Sequence, residues 1–221
     1  MVADGGVGST ASGADTRTRL LQAAAEMIDS VGEAGLRIAE IAAAAGVREP
    51  SVYHFFGSRA GLVEAAQVLR YGDAQSQGVR RFAKALDDCS SREEFVQVVE
   101  AVLRWTFSTD RAAARAVRIS VLGSAMKRPA LLEQLVQHQR ESSTILAEAL
   151  RDARDRGWAR PDLDPMAAAT WVIGQVTGRL LAELDPEYLD GDEWNDLAVR
   201  GTLAVLVGPP TPHPSVPHPS V

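Results

Sequence analysis

Apolar residues recur at three- and four-residue spacing from about residue 15 to about residue 207. Leu20, Ala24, Met27, Ile28 and Val31 form the first stripe; Asp15 or Thr16 stands where an N-cap belongs and Gly32 where a helix stops. The pattern predicts a short Ala-rich helix over about 38–45 ending at Gly46, a third over about 49–56, and a fourth after Ser58. Phe95, Val98, Val99, Val102, Leu103 and Thr106 share one helical face. Leu131, Leu135, Ser142, Leu146, Ala149 and Ala153 share that of a long helix opened by Pro129 and closed by Gly157. Asp164 precedes Pro165 as a cap precedes a first helical position, predicting a helix over about 166–184. A last one covers about 194–207. No sustained period-two pattern occurs, so the fold class is all-α, with about nine or ten helices and short loops.

The ends break this pattern. Residues 1–14 are mostly small, without an apolar stripe, and are expected to form a flexible arm. Residues 208–221 repeat Pro-His-Pro-Ser-Val and are expected to be disordered or polyproline-like, because proline lacks the amide donor that helices need. The 221 residues carry 23 Lys and Arg against 29 Asp and Glu, a net charge of −6, which argues against broad nonspecific binding to nucleic acid. One cysteine, Cys89, excludes an internal disulfide and suits a reducing compartment. No signal-peptide pattern opens the chain and no apolar run is long enough to span a membrane, so a cytoplasmic protein without membrane contact is expected.

The stretch from Ile38 to Phe56 carries more. Ala42 has no side chain beyond Cβ, so a second helix can cross close to the first. Gly46 can take the left-handed conformation that ends one helix and starts a turn. Ile41, Ala45, Val47, Val52 and Phe55 or Phe56 face inward and hold the two helices at a set angle. Small residue, glycine and apolar positions fall at the spacings of a helix-turn-helix, whose second helix enters the DNA major groove.

Thr16-Arg-Thr-Arg-Leu-Leu-Gln-Ala-Ala-Ala25, Val31-Gly32, Ile41-Ala42, Ala45-Gly46-Val47, Val52-Tyr53, Phe56 and Ser58-Arg59 together resemble the N-terminal domain of the tetracycline-repressor (TetR) family. The likeness covers about residues 15–62. The rest is similar in layout, and Asp162-Leu-Asp-Pro-Met-Ala-Ala-Ala looks like the start of the family's penultimate helix. The resemblance implies a helix-turn-helix DNA-binding domain over 15–62, with its motif at about 37–56, and a helical ligand-binding and dimerisation domain over 63–207. It further implies a homodimeric transcriptional regulator, usually a repressor, released from a palindromic double-stranded operator by a small ligand.

On the DNA face, Arg48, Glu49 and Ser51 stand at the end of the second motif helix that approaches bases, while Tyr53 and His54 suit phosphates or groove edges. Arg59, where the family commonly has Lys, would anchor the backbone, and Arg17 and Arg19 could reach phosphates. Arg37 and Arg48 occupy positions where the family has the helix caps Thr and Ser. Losing such a cap costs about 1 kcal/mol, and a phosphate bridging arginine to helix N-terminus reverses the penalty. Both are therefore expected to contact phosphate or guanine. From 15 to 60 there are five arginines against six carboxylates, so a positive footprint must come from placement.

In the body, Gly174 and Gly178 interrupt a good helix and, with Ala167 and Thr170, make a small-residue stripe. Close approach in a dimer interface with the helix bearing Leu135 and Leu146 is the expected use; tight packing within one subunit is the alternative. Trp105, Phe107, Arg118, Met126, Trp171 and Gln175 are candidates for a mostly apolar ligand pocket, though each also suits a core. His138 suits a surface or interface. No cofactor, metal site or catalytic set is expected. Gly5-Gly-Val-Gly-Ser-Thr10 lacks the lysine of a phosphate loop, the histidines are scattered, and Cys89 follows two aspartates that would raise its pKa. Asp162 and Asp164 near Glu183 and Asp185 are better explained as helix-end residues than as an acid/base pair. A ligand-dependent activator or co-repressed regulator stays open as an alternative, as does a helical enzyme or interaction module with a vestigial head.

Overall fold

The computed structural model describes residues 8–185, 187 and 189–208, with the side chains of 8–12 and 73–77 left aside. Residues 1–7 of the expected arm and 209–221 of the expected tail lie outside the described residues. Among those described there is no strand, as the periodicity predicts. The described residues form nine α-helices in succession: α1 (Gly8–Gly35), α2 (Ile38–Ala44), α3 (Glu49–Phe56), α4 (Arg59–Asp87), α5 (Arg92–Phe107), α6 (Ala112–Ala125), α7 (Pro129–Asp155), α8 (Pro165–Arg179) and α9 (Gly191–Val207). Two 3-10 turns, Thr109–Arg111 and Leu180–Glu183, precede α6 and follow α8.

Three boundaries differ from expectation for local reasons. α1 runs back to Gly8, so neither Asp15 nor Thr16 caps it and residues 8–14 of the expected arm are helical. Extending an existing helix requires no new nucleus, and the Thr18 hydroxyl donates to the Ala14 carbonyl at 3.0 Å. Gly32 does break α1, at φ 73 and ψ 170. The helix expected over 166–184 stops at Arg179 and tightens into the 3-10 turn. α9 starts at Gly191, earlier than expected, because the Asp190 carboxylate accepts the Asp192 amide at 2.8 Å. As expected, the Asp164 side chain caps α8, accepting from the Ala167 amide at 2.8 Å.

By packing, the chain divides into two units: Met1–Ala74 with Val117–Gln137, and Gln75–Ala116 with His138–Val221. The three-helix head expected over 15–62 lies within the first. There Leu20, Ala24, Ile28, Leu36, Ile41, Ala42, Val52, Leu62 and Ala66 form one buried cluster, while Tyr71, Val121, Ala125, Leu131 and Leu135 form a second. The core of the other unit is built on Phe95, Val99, Leu103, Phe107, Leu146, Leu150, Ala169, Val172, Val199 and Leu206. No helix of the described residues is long and apolar enough to cross a membrane.

Candidate nucleic-acid interface

α2 closes as a glycine-terminated helix should. Gly46 sits at φ 69 with its amide donating to the Ala43 carbonyl at 3.0 Å, and the Val47 amide reaches the Ala42 carbonyl at 2.9 Å. This pair of bonds reverses the chain with only one residue in the left-handed region, which an L side chain resists. Ala42 is buried, as a close crossing requires, and Val52 is fully buried beneath α3. The opposite side of α3 is bare: Arg48, Glu49, Pro50, Tyr53 and His54 are exposed, and Ser51, Phe55 and Phe56 half-buried.

Both expected capping positions carry arginine in cap geometry. Arg37 precedes α2 at φ −120 and ψ 122, and Arg48 precedes α3 at φ −93 and ψ 154; neither side chain makes a cap hydrogen bond. Neither helix start is closed by a side chain; at α3, Pro50 has no amide to offer and the Ser51 amide donates to the Arg48 carbonyl at 3.0 Å. Arg37 pairs with Glu40 across one exposed turn at 3.2 Å. Thr16, Ser51 and His54 stand around an open depression of about 520 Å³ between α1 and α3, floored by Val47, Pro50 and Phe55. Arg17 lies over the Phe56 ring at 5.3 Å, and Arg19 pairs with Asp15 at 3.4 Å.

Arg59 is placed otherwise than expected. Its Nε donates to the Leu36 carbonyl at 3.2 Å and its Nη2 to the carbonyls of Glu33 and Ala34. A guanidinium is a strong partner for carbonyls left over at a helix end, so it clamps the α1–α2 link instead of pointing to a phosphate.

The six pocket candidates divide between the two units. Arg118 and Met126 belong to the first unit, the other four to the second. Arg118 is buried beside the Tyr71 ring at 5.6 Å. Burial pulls its guanidinium below the ordinary value and pushes the Tyr71 hydroxyl up. Phe107 is core, edge-on to Trp194 at 5.3 Å. Met126, Trp105 and Trp171 are exposed, Trp105 under the Arg111 guanidinium at 4.5 Å, and Gln175 is half-buried. Of the expected interface residues, Leu135 and Leu146 are buried within their own units, since the stripes they lie on are used up by internal packing. Gly174 is exposed with open space where a Cβ would stand, and a Cβ at Gly178 would meet the Trp194 ring at 3.7 Å.

Other sequence candidates are held structurally. The Cys89 thiol donates to the Ala85 carbonyl at 3.2 Å and is pushed up by burial, then by Glu94 and Asp88. Asp162 takes Arg160 at 2.8 Å, and Glu183 binds Arg115. Arg115 is buried and also donates to the carbonyls of Thr106 and Ser108 at the end of α5, at 2.6 and 2.8 Å. Periodicity carries no sign of this pair, because its members lie 68 residues apart.

A two-helix motif with an exposed second helix, arginines at two uncapped helix starts and an apolar underside defines a helix-turn-helix DNA-binding protein. Residues 20–66 match the family model for bacterial regulatory proteins of the tetR family. The chain is 30% identical over 165 residues to the transcriptional regulator BetI of Pseudomonas aeruginosa, covering 73% of this chain and 82% of BetI. It is 24% identical over 189 residues to the regulator UidR of Escherichia coli K12, covering 86% and 87%. The SmeT–triclosan complex superposes with a TM-score of 0.60 at 25% identity, covering 90% of this chain and 99% of that one; SmeT is the repressor of a Stenotrophomonas maltophilia multidrug efflux pump. The chain belongs to the tetR family of bacterial regulators and is a DNA-binding regulator of transcription.

Proposed function

We propose that this regulator is a homodimeric repressor that holds a palindromic operator and leaves it when a small, largely apolar ligand binds. The observation that carries the DNA half is the pair of uncapped arginines, Arg37 and Arg48, at the starts of α2 and α3. A capping residue there would close the helix start with its own side chain; arginine makes no such bond and instead puts a positive charge at the helix start, where an anion is favoured. In this reading Arg37 and Arg48 take phosphate or guanine, Glu49 and Ser51 stand at the base-reading end, and Tyr53 and His54 take phosphates or groove edges. Thr16 and His54 would meet the DNA backbone together, since they border one depression.

Dimerisation is supported by Met166, Trp171, Leu181, Leu184 and Leu197, large apolar side chains exposed on α8, on and just after the following 3-10 turn, and on α9. Two leucines more than 70% exposed, Leu181 on the 3-10 turn and Leu184 just after it, are poor neighbours for water and good ones for a second copy. Gly174 adjoins them with open space, as a close crossing needs. The ligand half rests on likeness: SmeT is recorded with triclosan. Such a protein works beside the chromosome, so we place it in the cytoplasm.

Selection from a random duplex library at about 0.1–0.15 M salt, where nonspecific phosphate binding is suppressed, tests the reading. A palindrome with half-sites about one DNA turn apart or slightly more is expected. Enrichment of single half-sites only, or of no sequence, would overturn it. With the operator in hand, release by small apolar compounds such as triclosan tests the ligand half.

A further inference from the structure

Just past the Gly32 break, the end of α1 is held by charge. The Glu33 carboxylate accepts from donors on three segments: Gln67 Nε2 of α4, Ser124 Oγ in the last turn of α6 at 2.5 Å, and Arg128 Nη2 in the α6–α7 link at 2.5 Å. Arg128 Nη1 donates to the same Ser124 hydroxyl at 3.0 Å. Gln67 Oε1 accepts from Arg70 Nη1 at 2.6 Å, and Arg70 pairs with Asp29, one turn back on α1. Gln67 and Arg70 are buried, and the Glu33 side chain is only 24% exposed.

The apolar packing makes this node more than one staple among many. The α1 residues Leu20, Ala24 and Ile28 cluster with α2, α3 and the start of α4. The α6 and α7 residues Val121, Ala125, Leu131 and Leu135 cluster with Tyr71, farther along α4. Neither buried cluster joins α1 to the α6–α7 junction. Among the described residues, the Glu33 node makes that contact. A carboxylate this sheltered is costly to leave without its donors, so the end of α1 follows the junction. The α2–α3 pair begins only five residues beyond Glu33, at Ile38, and Arg59 clamps the link between them.

We propose that Glu33 is a positioning residue for DNA recognition, tying the orientation of the helix-turn-helix to the α6–α7 junction through Arg128 and Ser124. This rests on the head being a DNA reader. Linkage is reciprocal, so operator bound at the head must alter the junction 91–95 residues away in sequence. The effector need not be known.

The experiment uses the full chain with its selected operator duplex and reads amide exchange over residues 124–132 together with operator affinity. In the parent, operator is expected to slow exchange there. In Glu33→Gln and in Arg128→Gln that slowing is lost and affinity falls at least about fivefold, the lower end of ordinary coupling. The double variant is expected to be no worse than either single one. Arg128→Gln leaves Glu33 its Gln67 and Ser124 donors, so it serves if Glu33→Gln does not fold. Exchange unchanged by operator in the parent, or variants that keep both parental affinity and the slowing, would overturn the coupling while leaving the DNA reader intact. A parent that selects no duplex brings down the DNA reading itself, and this proposal with it.

Discussion

An arginine at position 59 has two good uses in a head of this kind, a phosphate or a set of helix-end carbonyls, and the carbonyls of Glu33, Ala34 and Leu36 hold it. Sequence alone favours the phosphate, because nothing local reveals carbonyls 23 to 26 residues upstream. Arg59→Ala is expected to lower stability by about 1.5–3 kcal/mol, the range for hydrogen bonds to charged groups. It should leave the salt dependence of operator binding near parental; a slope reduced by about one would return Arg59 to the phosphate. Arg48 should behave oppositely. Arg48→Ser restores a cap, adding about 1 kcal/mol of stability, yet removes a proposed DNA contact worth about 1–3 kcal/mol. Thermal melts and operator titrations should therefore move in opposite directions, and tighter binding by the variant would sink the assignment. Arg37 and Arg48 were legible in the sequence because a cap is defined by its immediate neighbours. Glu33 was not.

Glu33 also predicts an acid response. Burial raises its pKa, but the bonds from Arg128, Ser124 and Gln67 outweigh burial and leave it below the ordinary 4.5. Beyond Gln67, the facing charges are Arg70 and Asp29. A carboxylate lowered on folding contributes stability that is complete above pH 4.5 and fades as pH falls through its folded value. Acid unfolding followed by circular dichroism should be shallower in Glu33→Gln than in the parent. Superimposable acid limbs would remove Glu33 as a source of that sensitivity.

At the scale of elements, the helices whose stripes were clearest came out nearest to expectation. Leu20, Ala24 and Ile28 are buried along α1, while Val31, at the end of the same stripe, is 57% exposed because Gly32 turns the chain there. α3 spans Glu49–Phe56 as its pattern predicts, and α2 stops at Ala44, one residue short. The α2 stop depends on one φ value: Gly46→Ala should cost about 1–2 kcal/mol, the left-handed penalty for an L residue. A denaturation midpoint equal to the parent's would mean the turn has another solution. The end of α8 was not legible. Its pattern continues helically to residue 184, but Glu183 must reach the buried Arg115 and lie 3.7 Å from Arg179, and the backbone tightens to a 3-10 turn over Leu180–Glu183.

For the molecule as a whole, the exposed apolar faces carry the proposed dimer. Leu181→Glu combined with Leu184→Glu adds two charges to a surface proposed to be buried in the dimer. Sedimentation should find this variant monomeric with its helix content kept, and operator affinity should fall steeply because two half-sites no longer bind as one. A dimer that survives would move the interface elsewhere. The small-residue stripe drew attention to Gly174 and Gly178 on sequence grounds, yet Leu135 and Leu146 are spent in the interior of their own units.

Helix number, the helix-turn-helix with its glycine stop, the buried Ala42 and Val52, and the two arginines at cap positions were determined by the sequence alone. Each depends on residues within a few positions, and a period of 3.6 says which side chains share a face. What a face meets is a different matter. The Glu33–Arg128 node, the Arg115–Glu183 pair and the capture of Arg59 were decided only by the tertiary structure, as was the division of the leucines between interior and surface. These contacts join segments from 23 to 95 residues apart, and periodicity holds no information about the surface a stripe is packed against.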